Sequence, residues 1–133
     1  MLRAYSEFFA GYEQDPAAVL SKTFDESGSY NGAVIVRDID VRSHCEHHMV
    51  PFIGKAHVAY LPDAKVVGIS KLARLVNGFA RRLQIQERLT AEVARTLMNA
   101  LKPRGVAVII EAEHHCMTMR GIRNAGATTV TQH

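Results

Sequence analysis

The sequence predicts one α+β domain over residues 1–133: a four-stranded antiparallel sheet with two antiparallel helices on one face, in the order ββααββ, preceded by a short N-terminal helix. Three observations carry this. Hydrophobicity alternates with a period of two in the first half, switches to a helical period across the middle, and returns to alternation near the end. Turn-forming residues separate these segments. At 133 residues with only two cysteines, the chain is long enough to bury a core of its own without disulfide staples.

Leu2, Tyr5, Phe8, Phe9 and Tyr12 recur at helical spacing and predict the first helix, and the Gly, Ser and Asn residues of 27–32 form a loop. Residues 34–41 and 54–61 read as strands; in the second, Ala56, Val58 and Tyr60 alternate with Lys55, His57 and Ala59. Leu72, Leu75, Val76, Phe79, Ala80 and Leu83 then make one apolar helical stripe, with Ser70 as its expected N-cap. A second helix is expected from about Thr90, burying Val93, Ala94, Leu97, Met98 and Leu101 and stopped by Pro103 and Gly105. Val106, Val108, Ile110 and Ala112 alternate into a strand that leads to His114 and Cys116, followed by an extended stretch from Met117 onward.

Composition narrows the setting. No apolar run approaches the ~20 residues of a membrane span, and the first residues read as an amphipathic segment rather than a signal peptide. A cytoplasmic protein with reduced cysteines is therefore expected, without a membrane partner. A net charge of +3 is too mild to argue for nucleic acid, although a local basic cluster can still bind phosphate. The chain contains no low-complexity tract and no evident internal repeat.

The densest chemistry lies in Cys45-Glu46-His47-His48 and His114-His115-Cys116. Five of the seven histidines fall within four residues of one of the only two cysteines. Cys45 and His48, three apart in the connection between two strands, have the spacing that lets one turn hold two ligands of a tetrahedral zinc, with Cys116 as a distant third. Three protein ligands leave one position for water, the arrangement of a catalytic Zn²⁺ site. The plainer alternative is two apolar or disulfide-forming cysteines amid unrelated histidines. Lys71 and Arg74, at i and i+3 at the start of a predicted helix, suit an anion, with Arg120 as a third cation. Spacing alone supports a solvated basic face equally well. Gln84-Ile85-Gln86-Glu87-Arg88 reads either as a polar interhelical loop or as a carboxylate and amides that could receive a purine edge.

Together, Cys45-Glu46-His47-His48, residues 68–74, residues 84–90, and His114-His115-Cys116 with Arg120-Gly121-Ile122-Arg123 resemble, in order and spacing, the zinc-dependent GTP cyclohydrolase I family, over about 5–131. The resemblance implies a tunnelling fold and an enzyme that converts GTP and water to formate and 7,8-dihydroneopterin triphosphate, the entry to folate and other pterin pathways. It also implies pentameric rings stacked as a homodecamer, with active sites between subunits.

Carried over by position, Cys45, His48 and Cys116 match the zinc ligands, His114 the histidine that protonates the purine nitrogen, and His47 a second acid/base group toward the ribose. Gln86 and Glu87 match the guanine anchor, Lys71, Arg74 and Arg120 the triphosphate clamp, Ser70 a group near the ribose and phosphates, and Glu46 a residue of the subunit junction. The chain is shorter than the family pattern at both ends, and His115 stands where the family more often has an aromatic or aliphatic residue. The competing expectation is a shortened, non-catalytic homologue that binds zinc and GTP or a pterin in a regulatory or assembly role.

Overall fold

A computed structural model describes residues 1–25 and 30–133; residues 27–29 of the expected loop lie outside the described residues. The N-terminal segment is α1 (Leu2–Phe8) followed by 3₁₀ turns at Ala10–Glu13 and Pro16–Leu20. The second of these is capped by Asp15, whose side chain accepts from the Ala17 N–H at 3.1 Å. Next come β1 (Thr23–Asp25), β2 (Val34–Cys45), β3 (Pro51–Leu61), β4 (Lys65–Val67), α2 (Ile69–Ala80), β5 (Leu83–Gln84), α3 (Gln86–Leu101), β6 (Gly105–His114), α4 (His115–Thr118) and β7 (Thr129–Gln132).

The main sheet runs β5-β2-β3-β6-β7. Four of its strands, β2, β3, β6 and β7, form the expected antiparallel ladder, and β5 adds a two-residue parallel edge beside His44 and Cys45. β1 and β4 make a separate two-stranded ribbon. Strand alternation sorts the faces: Val41, Phe52, Ala56, Val58, Val108 and Ile110 point inward and are buried. They meet Leu72, Leu75, Val76 and Ala80 of α2 and Leu89, Val93, Leu97 and Leu101 of α3 in one core. α2 packs on β2, and α3 packs on β6 and β7. The opposite face keeps Ile35, Ile53, Ile109 and Val130 exposed among Asp40, Arg42, Lys55, Glu111 and Glu113.

Two glycines sit where backbones meet. A Cβ at Gly54 would lie 1.8 Å from the Glu111 carbonyl oxygen of β6, and one at Gly11 would lie 2.2 Å from that of Gly78 in α2. Gly11 also donates its N–H to the Arg81 carbonyl at 3.0 Å, which ties the N-terminal segment to the end of α2.

The structure corrects several boundaries. Gly68, not Ser70, holds the N-cap position of α2. That helix stops at Ala80 rather than reaching Leu83, because the chain leaves it to pair Leu83 and Gln84 with β2. α3 begins at Gln86, four residues before the expected start, from an extended Ile85 that offers no side-chain cap. The polar segment 84–88 is therefore an edge strand and a helical turn rather than a loop. It ends as expected before Pro103, with Lys102 in the left-handed conformation at φ 47°. The stretch after Met117 is not continuously extended: α4 and a run of turns come first, and only Thr129–Gln132 form a strand.

Candidate metal centre

Cys45 ends β2, and the short connection to β3 folds back on it. The Met49 N–H donates to the Cys45 carbonyl at 2.8 Å and the Cys45 N–H to the Val50 carbonyl at 2.9 Å, with Met49 held at φ 56°. The Glu46 N–H is satisfied by the Gln84 carbonyl of β5 at 3.0 Å. This tight turn brings His48 Nδ1 to 3.7 Å from Cys45 Sγ. Across β3, the pairing of Phe52 with His114 sets the end of β6 beside the same turn, and α4 then presents Cys116. The donor atoms of Cys45, His48 and Cys116 all lie within 4.8 Å of one another. Tetrahedral zinc bonds of roughly 2.0–2.3 Å separate such atoms by about 3.6–3.8 Å, so small side-chain shifts close the set. Two thiols and an imidazole suit zinc in their chemistry as well.

Cys45 is buried, Cys116 half-buried and His48 exposed, so the set opens to solvent on one side. Burial pushes the Cys116 thiol up, and the neighbouring Cys45 pushes it the same way. His48 Nε2 receives Arg120 Nη1 at 3.3 Å, which places that guanidinium directly beside the cluster.

His114 stacks on Phe52 with ring centroids 4.6 Å apart and planes 10° from parallel. Burial lowers its pKa, while the Glu87 carboxylate pulls the other way. Its Nε2 lies 2.6 Å from Gln86 Oε1. Gln86 is 1% exposed and its Nε2 faces the Ile110 and Thr129 carbonyls and Thr131 Oγ1. Glu87, one residue on, is exposed in the first turn of α3. His47 is exposed in the turn, edge-on to His48. Glu46 pairs with Arg88, whose Nε also donates to Gln84 Oε1 at 3.3 Å. Half-buried His115 opens α4.

The basic residues divide. Arg120 joins the cluster, but Ser70, Lys71 and Arg74 lie in the first half of α2, whose opposite end abuts the Cys45 end of β2. At about 1.5 Å per residue, Arg74 stands ~9 Å and Lys71 ~14 Å along the axis from Ala80. Among the described residues, no hydrogen bond or ion pair links either of them to the cluster, and Arg74 instead lines a cavity of about 240 Å³ with Gln14, Val19, Asn77 and Arg81. Thr90, Thr129 and Thr131 were not legible as site residues. Thr129 and Thr131 carry one sequence signal, hydroxyls on alternate positions of a short terminal strand, and Thr90 lies on α3.

The family model for GTP cyclohydrolase I matches residues 1–133. The chain is 64% identical over 129 residues to GTP cyclohydrolase 1 of Brucella anthropi and 60% identical over 129 residues to that of Brucella canis, in each case covering 97% of this chain and 61% of the relative. It therefore spans about 61% of the length of these curated relatives. Among solved structures, the apo archaeosine synthase QueF-Like is similar at a TM-score of 0.64 and 17% identity, over 79% of this chain and 93% of that one, a likeness of fold that identifies the tunnelling fold. The chain belongs to the GTP cyclohydrolase I family.

Proposed function

We propose that the chain forms the zinc centre of a GTP cyclohydrolase I that opens the imidazole ring of GTP, releases formate and rearranges the remainder to 7,8-dihydroneopterin triphosphate, the first step of folate and pterin biosynthesis. The observation that most supports this reading is the convergence of Cys45, His48 and Cys116, with His114 two residues from the last ligand and ordered by Phe52 and Gln86. In this reading those three residues hold Zn²⁺, which when bound would polarise a water for attack on the purine carbon between the imidazole nitrogens. His114 delivers a proton to the purine nitrogen as the ring opens, and His47 serves the later rearrangement. Glu87, with Gln86 beside it, recognises the guanine edge, and Ser70, Lys71, Arg74 and Arg120 receive the ribose and triphosphate.

Arg120 stands beside the candidate ligands, whereas Lys71 and Arg74 lie in the first half of α2, away from its Cys45 end, and this separation favours a pocket shared between copies. The exposed apolar residues on the outer sheet face support burial against other subunits, as in pentameric rings stacked into a decamer. Glu46 then belongs to the subunit junction. The setting proposed is the cytoplasm, with GTP as the small-molecule partner and neither nucleic acid nor membrane involved. The test is incubation of the purified, zinc-loaded oligomer with GTP, followed by oxidation and detection of a fluorescent pterin. No fluorescent product under these conditions would refute the reading.

A further inference from the structure

The hydrogen bonds around Gln86 have directions that the chemistry of their partners forces. Its Nε2 lies 3.0 Å from the Ile110 carbonyl, 3.0 Å from the Thr129 carbonyl and 3.1 Å from Thr131 Oγ1. The two carbonyls can only accept, so the NH₂ group must face them; a flipped amide would set an oxygen against both. Oε1 is thereby aimed at His114 Nε2, 2.6 Å away, and since Oε1 also only accepts, that ring nitrogen carries the proton. Thr90 Oγ1 spends its single hydrogen on the Gln86 carbonyl at 2.8 Å. The 2.7 Å contact between the two hydroxyls then runs from Thr131 to Thr90, and Thr131 Oγ1 can share with Gln86 only a hydrogen already directed at a carbonyl.

We infer that Gln86, its amide held by the Ile110 and Thr129 carbonyls, fixes His114 as its Nε2–H tautomer and leaves the Nδ1 lone pair as the ring's open face toward a ligand. This anchoring joins α3 to β6 and β7, and Phe52 fixes the plane of the ring that Gln86 orients. Its catalytic meaning rests on the proposed reaction; the tautomer does not. Gln86 is thus a positioning residue that acts through His114. A direct contact to guanine would require its buried amide to give up these bonds.

The experiment uses the zinc-loaded assembly with isotope-labelled histidine. Proton–nitrogen correlation spectra of the neutral ring should show a protonated Nε2 and a lone-pair Nδ1 for His114. Gln86→Leu, which removes the acceptor facing His114 without adding a charge, should mix the tautomers and lower kcat on GTP by roughly tenfold, the scale for losing such an orienting partner, with KM little changed. Thr131→Val, which leaves both carbonyls in place, should keep the parental tautomer and kcat. A proton on Nδ1 in the parent, or a Gln86→Leu protein with parental tautomer and kcat, overturns the inference. If the parent turns over no GTP, the proposed function fails, and the tautomer spectrum still decides this proposal by itself.

Discussion

Loss of Cys116 should uncouple metal from stability. Cys45 and His48 are neighbours in any conformation, but 71 positions separate Cys45 from Cys116. To gather all three ligands, an unfolded chain must close that loop at an entropic cost of about 4 kcal/mol, so the ion binds the folded state selectively. Free zinc at a hundredfold excess over its dissociation constant then stabilises the fold by about 2.7 kcal/mol. For a domain of this size each kcal/mol moves the melting temperature by roughly 3–4 °C, so zinc should raise it by about 10 °C over chelated protein. In Cys116→Ser the remaining pair is local and binds folded and unfolded chains alike, and at least half of that rise should vanish. The assay is thermal unfolding followed by circular dichroism, with and without chelator, at one fixed protein concentration. An undiminished zinc-dependent shift in Cys116→Ser would show that the three convergent donors are not the metal site.

Three other outcomes are expected. His114→Ala should retain zinc while GTP turnover falls by roughly 10²-fold or more, whereas His115→Ala, at the start of α4, should do much less; equal losses at saturating GTP would remove the special role of His114. Glu87→Gln replaces an acceptor by a donor and should cost about 1–3 kcal/mol of guanine recognition, so calorimetry should find the preference for GTP over ITP erased; an unchanged ratio would place the base anchor elsewhere. Burial lowers the pKa values of His44 and His114, so the unfolded chain binds more protons than the folded one. Stability of chelated protein should therefore be full above the ordinary histidine range and fall as pH drops from about 6.5 toward the lowered folded values. A denaturant midpoint that stays flat or rises over that interval contradicts the sign.

The sequence by itself determined the class of fold and picked out the thiol and imidazole groups that converge at Cys45, His48 and Cys116, because both depend on signals that local chemistry preserves. Val58 and Tyr60 alternate whatever covers them, Leu72, Leu75 and Val76 keep helical spacing wherever the helix packs, and thiols flanked by histidines are rare enough to stand out. Boundaries set by tertiary contact were not legible. Leu83 fits the apolar stripe of α2, yet the chance to hydrogen-bond beside Cys45 draws it into β5. Gln86 looks like a polar loop residue because nothing near it in sequence can satisfy a buried amide. Its partners are the backbone of Ile110 and the hydroxyl of Thr131, 24 and 45 residues away, brought within reach only when β6 and β7 pair beneath α3. The division of the basic residues was likewise decided by the fold. Lys71 and Arg74 share a helix face on paper with no indication of distance from Cys45, and it is the direction in which α2 lies across the sheet that carries them away from the cluster.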